Sequence, residues 1–206
     1  MAKFVQIRLN DVLRELGESE TKSILSSFIC EKNRDVEDFI RNKAIEFSKR
    51  GFAKTTLVYW ISDDETEKEL VGYFAIASKY ICVSKDSVSK TLGKRLFAHG
   101  RYNEGTREYI VSAPLIGQLG KNYAGGNDCL ISGSDLLAMA LKKVISIQEE
   151  IGGKFVYLEC EDKEKLIRFY EENGFTVFGK RKKDRDEIGV DGEFLIQLLK
   201  YFDSQS

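Results

Sequence analysis

The stretch that most constrains this chain is residues 156–178, VYLECEDKEKLIRFYEENGFTVF. A strand ends in an acidic turn and feeds a short helix, which closes on Phe-Tyr-Glu-Glu-Asn-Gly-Phe and passes into another strand. Gly174 stands where such a helix must end in a left-handed residue, and Phe175 then caps the helix end with an apolar contact. Tyr170 falls one turn before that end.

Residues 3–9 alternate apolar and polar side chains and predict a first strand. A helical stretch is expected from Ser19, carrying Ile24, Leu25, Phe28 and Ile29 at helical spacing. In DVEDFIRNKAIEFSKRG, Val36, Phe39, Ile40, Ala44 and Phe47 share one face, with Asp35 at the start and Gly51 at the end. Two apolar runs, KTTLVYWI and ELVGYFAIA, flank the acidic turn SDDETEKE and read as neighbouring antiparallel strands. Residues 84–108 lack strong periodicity and carry Gly93, Gly100 and Gly105, which predicts a mobile insertion with one short helix. EYIVSAPLIGQLGKNY reads as a single strand bent or bulged at Pro114. AGGNDCLISG then leads into the long amphipathic helix SDLLAMALKKVISIQEEIG, closed by Gly152 and Gly153. KFVYLEC (strand), DKEKLIRFYEENG (helix), FTVFG (strand) and EFLIQLLKYF (strand) complete the order β-α-α-β-β-β-α-β-α-β-β. The expected fold class is α/β, a mixed sheet with helices on its faces, in a single domain spanning 1–206 with the insertion at about 84–108.

The 206 residues are 42% hydrophobic and 32% charged, with a net charge of −1. Such a chain is long enough to bury a core and has no global field for collecting nucleic acid, so any polyanion contact must come from a local patch. MAKFVQIRLND has no apolar segment of signal-peptide length and no run approaches a membrane span, so a cytoplasmic protein without a membrane partner is expected. Cys30, Cys82, Cys129 and Cys160 are scattered, no CxxC pair occurs and the chain has one His. That argues against a metal site and fits reduced, mostly buried thiols.

The run Phe169-Tyr170-Glu171-Glu172-Asn173-Gly174-Phe175 resembles the C-terminal signature of the GNAT N-acetyltransferases, a helix ending in Phe-Tyr-x-x-x-Gly-Phe. The resemblance to the GNAT fold covers nearly the whole chain outside 84–108. It implies acetyl-CoA as co-substrate, direct transfer to a primary amine in a ternary complex, and Tyr170 as proton donor to the departing thiolate. A phenol suits that task because the reference pKa values of phenol and thiol, ~10 and ~8.5, lie close together. The family's pyrophosphate loop, Gln/Arg-x-x-Gly-x-Gly/Ala, precedes its long helix. Aligned there, Asp128 takes the Gln/Arg position, Ile131 the first glycine and Gly133 the second, followed by Ser134; Gly125 and Gly126 offer an alternative backbone approach to phosphate. An ordinary helix start capped by Ser132 or Ser134 is the plainer reading of the same residues. Leu119, Gly120 and Lys121 fall on the strand whose main chain pairs with the pantetheine arm.

Glu159, at the C-terminal end of its strand, is the candidate general base, with a solvated strand-end carboxylate as the alternative; Cys160 beside it reads as an inert strand thiol. The stretch FICEKNRDVEDFIRNKAIEFSKRGFAKTTLVYW is similar to the start of a toxin-type GNAT branch that acetylates aminoacyl-tRNA. The acceptors left open are therefore a small molecule, a peptide or protein amino group, or aminoacyl-tRNA. A module that binds CoA or a partner without catalysis is also left open, as is a homodimer. Two basic clusters bear on the RNA acceptor: Lys79, Lys85, Lys90, Lys94, Arg95, Arg101 and Arg107, and the run Lys180 to Arg185.

Overall fold

The computed structural model describes residues 3–184 and 192–203. Within them, residues 3–77 and 117–141 form one compact unit, and residues 78–116, 142–184 and 192–203 form another. No helix among the described residues is long and apolar enough to cross a membrane.

The first unit opens with β1 (Lys3–Arg8) and α1 (Leu9–Ser26). The helix therefore starts ten residues before Ser19, and Phe28 and Ile29 lie beyond its end. The break that hid its first half is Gly17, whose φ of 78° interrupts an otherwise continuous helix. Next come α2 (Arg34–Asp38), a π-helical turn over Phe39–Lys43 and α3 (Ala44–Arg50). Asn33, not Asp35, is the N-cap: its side-chain oxygen accepts from the amides of Asp35 and Val36. The wide turn slips the helical register by one residue, so Ile45 and Ser48 join Ala44 in the interior while Phe47 is half-buried against Phe39. Gly51, at φ 75°, ends the run as expected.

β2 (Lys54–Ile61) pairs antiparallel with β1 and with β3 (Lys68–Ala77), bearing out the two apolar runs. The strand order in this unit is β1-β2-β3-β7, where β7 spans Leu115–Lys121. Its interior holds Leu9, Leu25, Phe28, Ile40, Leu57, Tyr73, Phe74, Leu136 and Leu137, each worth about 1.5–3 kcal/mol on burial. β3 and β7 approach closely because both contribute glycine: a Cβ on Gly72 would stand 2.9 Å from the Gly120 carbonyl oxygen, and one on Gly120 would stand 2.2 Å from Val36 Cγ1.

The second unit contains two sheets. One has the order β4-β6-β5, from β4 (Tyr80–Ser84), β5 (Arg101–Asn103) and β6 (Glu108–Ser112). The other runs β7-β8-β10-β9, with β8 (Phe155–Glu161), β9 (Thr176–Lys182) and β10 (Phe194–Tyr201). β7 pairs with β8 in parallel through Leu115↔Tyr157 and Ile116↔Leu158, whereas β10 is antiparallel to both its neighbours. The expected single strand across Pro114 is thus two strands in two sheets. Pro114 has no amide to give a ladder, and its carbonyl accepts instead from Tyr157 N at 3.1 Å. The stretch read as an aperiodic insertion contains α4 (Lys90–His99), capped by Ser89, and β5. Leu96 of α4 packs with Ile81, Val83, Tyr109, Val111, Phe155, Tyr157, Phe178 and Leu199 in one apolar cluster.

Two more helices complete the chain, α5 (Gly133–Ile151) and α6 (Glu164–Glu172), where the periodicity placed them. The Gly120 contact makes a direct test of the packing. Gly120→Ala is expected to lower unfolding free energy by about 1–3 kcal/mol, the cost of forcing a methyl into a filled interior. Urea titration reads this as a lower midpoint at unchanged slope.

Candidate functional site

In the first unit, β7 leads into a loop that delivers the chain to the start of α5. Gln118 donates to Asp35 Oδ2 at 2.8 Å, and the buried Tyr73 hydroxyl donates to the Val36 carbonyl at 2.6 Å, so β7 is held against the start of α2. Asn122 is 2% exposed and fully engaged. Its side-chain oxygen accepts from Ile29 N and Ala124 N, its amide nitrogen donates to the Leu70 carbonyl, and its backbone N–H donates to the Val71 carbonyl. Lys121, next to it, sends its ammonium under the loop to donate to the carbonyls of Asp128 at 2.7 Å and Ile131 at 3.1 Å. Gly125 and Gly126, at φ 61° and 82°, take left-handed conformations with open space where a Cβ would stand.

The helix start itself is a reciprocal cap. Ser132 Oγ accepts from Asp135 N at 3.0 Å and donates to Asp135 Oδ2 at 2.6 Å, and that carboxylate also accepts from Ser132 N. Of the two serines, Ser132 is the cap and Ser134 is exposed in the first turn. The cap consumes the Asp135 amide, so among the described residues the amides of Gly133 and Ser134 remain open to an outside acceptor.

In the second unit, α6 ends as its sequence predicts. Gly174 has φ 82°, Phe175 N donates to the Tyr170 carbonyl at 3.1 Å, and the Phe175 ring packs edge-on to Tyr170 at 5.9 Å. Tyr170 is 8% exposed, and among the described residues its hydroxyl has no hydrogen-bond partner. Burial, then the neighbouring Cys160, holds this phenol well above the ordinary tyrosine range. Glu159 follows the opposite course. Its Oε2 accepts from Arg181 Nε at 2.6 Å and its Oε1 from Gln197 Nε2 at 2.8 Å, an ion pair joining three adjacent strands. Successive residues of a strand point to opposite faces, so Glu159 and the Cys160 that neighbours Tyr170 look away from each other.

The sequence-derived residues thus fall into two sets. Lys121, Asp128 and Ile131 are tied by one ammonium, Gly120 is packed on Val36, and Leu119 is half-buried on the same strand. Tyr170 and Glu159 belong to the other unit. Sequence reasoning missed Asn122, Gln118 and Arg181, whose roles depend on partners 22 to 93 positions away. It also missed Lys32, whose ammonium lies over the Tyr123 ring at 4.7 Å. The thiols are less uniformly buried than expected: Cys30 and Cys160 are interior, Cys82 and Cys129 exposed. In the basic clusters, Arg95 is paired with Asp203 and Arg107 with Asp86, while Lys180 covers the Phe194 ring. Arg185 lies outside the described residues.

No family model and no curated protein matches the chain. Solved structures do. A tyrosine-to-phenylalanine mutant of KacT aligns at TM-score 0.60 and 14% identity over 94% of each chain. AtaT complexed with acetyl-methionyl-tRNAfMet aligns at TM-score 0.60 and 15% identity, again over 94% of each. AtaTR bound with AcCoA aligns at 0.55 and 14%, covering 94% of this chain and 91% of the other. This chain has the GNAT fold, with its likeness to the toxin-type members. The segment expected from the sequence to hold a CoA pyrophosphate is the one between β7 and α5, up to Ser134. The open amides of Gly133 and Ser134, the two uncrowded glycines and the ammonium groups of Lys121 and Lys32 suit that anion. The carboxylates of Asp128 and Asp135 oppose it. Donors outnumber the opposing charges, and the segment fits the group.

In the second unit, Cys160 has a measurable property. Burial pushes its thiol up to about 12, with the nearby Glu161 and Asp162 adding to the shift. Because the folded value lies above that of an unfolded thiol, near ~8.5, its contribution to stability is complete below that pH. It is lost as the pH rises toward 12, with a slope of at most about 1.4 kcal/mol per pH unit. Alkylation of the native protein at pH 8 is expected to label Cys82 and Cys129 and to spare Cys30 and Cys160 until denaturant is added. A native-state label on Cys160, located by peptide mass, would contradict this assignment.

Proposed function

We propose that this protein transfers the acetyl group of acetyl-CoA to a primary amine by direct attack. The observation that carries the reading is the Tyr170 phenol, buried at the end of α6 with a hydroxyl that is unengaged among the described residues. The GNAT fold and the AcCoA-bound AtaTR neighbour support the choice of co-substrate. The backbone of Gly133 and Ser134 is assigned to the pyrophosphate, with Gly125 and Gly126 leaving room for its approach. Leu119, Gly120 and Lys121 contribute main-chain groups to the pantetheine arm.

In the transfer, a neutral amine nitrogen attacks the thioester carbon. The new C–N bond forms, the C–S bond breaks, and the departing sulfur takes the Tyr170 proton. The raised pKa of this tyrosine keeps it protonated at every working pH, as an acid must be. A thiolate leaving into the same apolar surroundings has its own proton affinity raised by the same desolvation, so donor and acceptor stay matched. Glu159 is free to take a proton from the amine only when Arg181 and Gln197 release it; while they hold it, that proton passes to water.

Tyr170→Phe is expected to lower kcat by about 10²–10⁴-fold with little change in the KM for acetyl-CoA. Steady-state release of free CoA thiol on a panel of primary amines measures it, and an unchanged kcat would remove Tyr170 from the mechanism. Glu159→Gln tests the other proton. A rate that keeps the shape of its pH profile assigns the amine proton to water, whereas loss of the acidic limb assigns it to the carboxylate.

One further observation favours a polyanionic acceptor such as aminoacyl-tRNA, the ligand class named for AtaT. Lys90, Lys94 and Phe97 lie at i, i+4 and i+7 on α4, and Arg101 follows. All are exposed, Phe97 by 64%, and none of the three cations has an ion-pair partner among the described residues. The double substitution Lys90→Glu, Lys94→Glu is expected to weaken tRNA binding and to reduce the slope of log affinity against log salt by about two. Acetylation of a small amine should not change. Equal loss on both acceptors would place α4 in folding instead of RNA contact.

A further inference from the structure

The segment between β7 and α5 poses a physical problem. It carries the carboxylates of Asp128 and Asp135, and its two consecutive left-handed glycines, Gly125 and Gly126, leave it with high backbone freedom. Its first part is held by a 3-10 turn over Ala124–Cys129 and by Asn127, whose side chain donates to Glu69 Oε2 and the Leu70 carbonyl; the stretch from Cys129 to α5 needs a fixed point of its own. We infer that Lys121 is the positioning residue that solves this, an inference that rests on the acetyl-CoA reading above.

One ammonium donates to two carbonyls, those of Asp128 and Ile131, three residues apart in sequence. In a planar trans peptide the N–H points opposite to the C=O. Pinning the Asp128 and Ile131 carbonyls toward Lys121 therefore turns the Cys129 and Ser132 amides the other way. The Ser132 amide is spent on Asp135, which sets the helix cap, and the Cys129 amide lies at the end of the 3-10 turn over Ala124–Cys129. Lys121 thereby fixes the approach to α5 from beneath, through the main chain, at the point where the open amides of Gly133 and Ser134 begin. Its positive charge sits within the same loop as Asp128 and offsets it. Two cations lie near the Tyr123 ring, the Lys121 ammonium 5.9 Å and the Lys32 ammonium 4.7 Å from its centroid. The basic residue missing from the Asp128 position is thus supplied from the end of the preceding strand. The side chain that supplies it does not need to touch the phosphate to act on it.

The test uses the full-length protein, Lys121→Met, and Lys121→Arg as the conservative variant, after all three are shown to melt as folded proteins. Hydrogen exchange on the free proteins reports the loop alone. The amides of residues 128–132 should exchange faster in Lys121→Met and return toward the unmodified rate in Lys121→Arg. Kinetics report the ligand. The KM for acetyl-CoA should rise about 10–100-fold in Lys121→Met, the range expected for losing one to two charge-assisted hydrogen bonds, while kcat stays within about two-fold. Unchanged exchange, or a loss confined to kcat, overturns the inference. Faster exchange in Lys121→Met, in a protein whose unmodified form binds no acetyl-CoA by calorimetry, instead overturns the acetyl-CoA reading and with it the ligand half of the inference.

Discussion

The buried side-chain amide of Asn122 is the joint on which the first unit's working end depends. Through its side chain and its own N–H it takes up groups from Ile29, Leu70, Val71 and Ala124, which belong to three separate stretches of chain. A buried polar group left without a partner costs on the order of 1–3 kcal/mol. The side-chain amide offers, on two separate atoms, an acceptor that serves two N–H groups and a donor for a carbonyl. The rigidity of this corner gives Lys121 a fixed base from which to reach the loop.

What the sequence disclosed and what it concealed divide along physical lines. The long helix at Gly133–Ile151, the β2–β3 pair and the strand-helix-strand run around Tyr170 were legible because each repeats its apolar pattern over several turns or alternations. Gly174 and Phe175 were legible because a left-handed helix end demands glycine. The stretch around α4 was not, since β5 is three residues long and owes its existence to pairing with β6. The first half of α1 was lost to a single glycine, although Leu9 and Val12 already sat at helical spacing on its buried face. At the candidate site, a motif reading compares residue types at fixed positions. It has no means of seeing that a lysine on the preceding strand bends back to two carbonyls seven and ten residues ahead.

The pleat of β8 separates two kinds of chemistry by a single residue. Glu159 faces Arg181 and Gln197 and is absorbed into a polar network, whereas Cys160 faces α6 and Tyr170 and lies in an apolar one. Charge on the first side is stabilised by a partner; charge on the second is penalised by burial. As the proposed proton donor, Tyr170 shares its side of the strand with the Cys160 thiol and not with the Glu159 ion pair.

The state of Cys160 has a consequence for reaction topology. A sulfur nucleophile beside the proposed proton donor would ordinarily offer a thioester an alternative destination, storing the acyl group on the protein before passing it on. A thiol pushed up to about 12 carries almost no thiolate at neutral pH, so this detour is closed. In the proposed acetyl transfer, direct attack therefore proceeds with no covalent stopover at Cys160, and on that proposal double-reciprocal plots against donor and acceptor should intersect instead of running parallel.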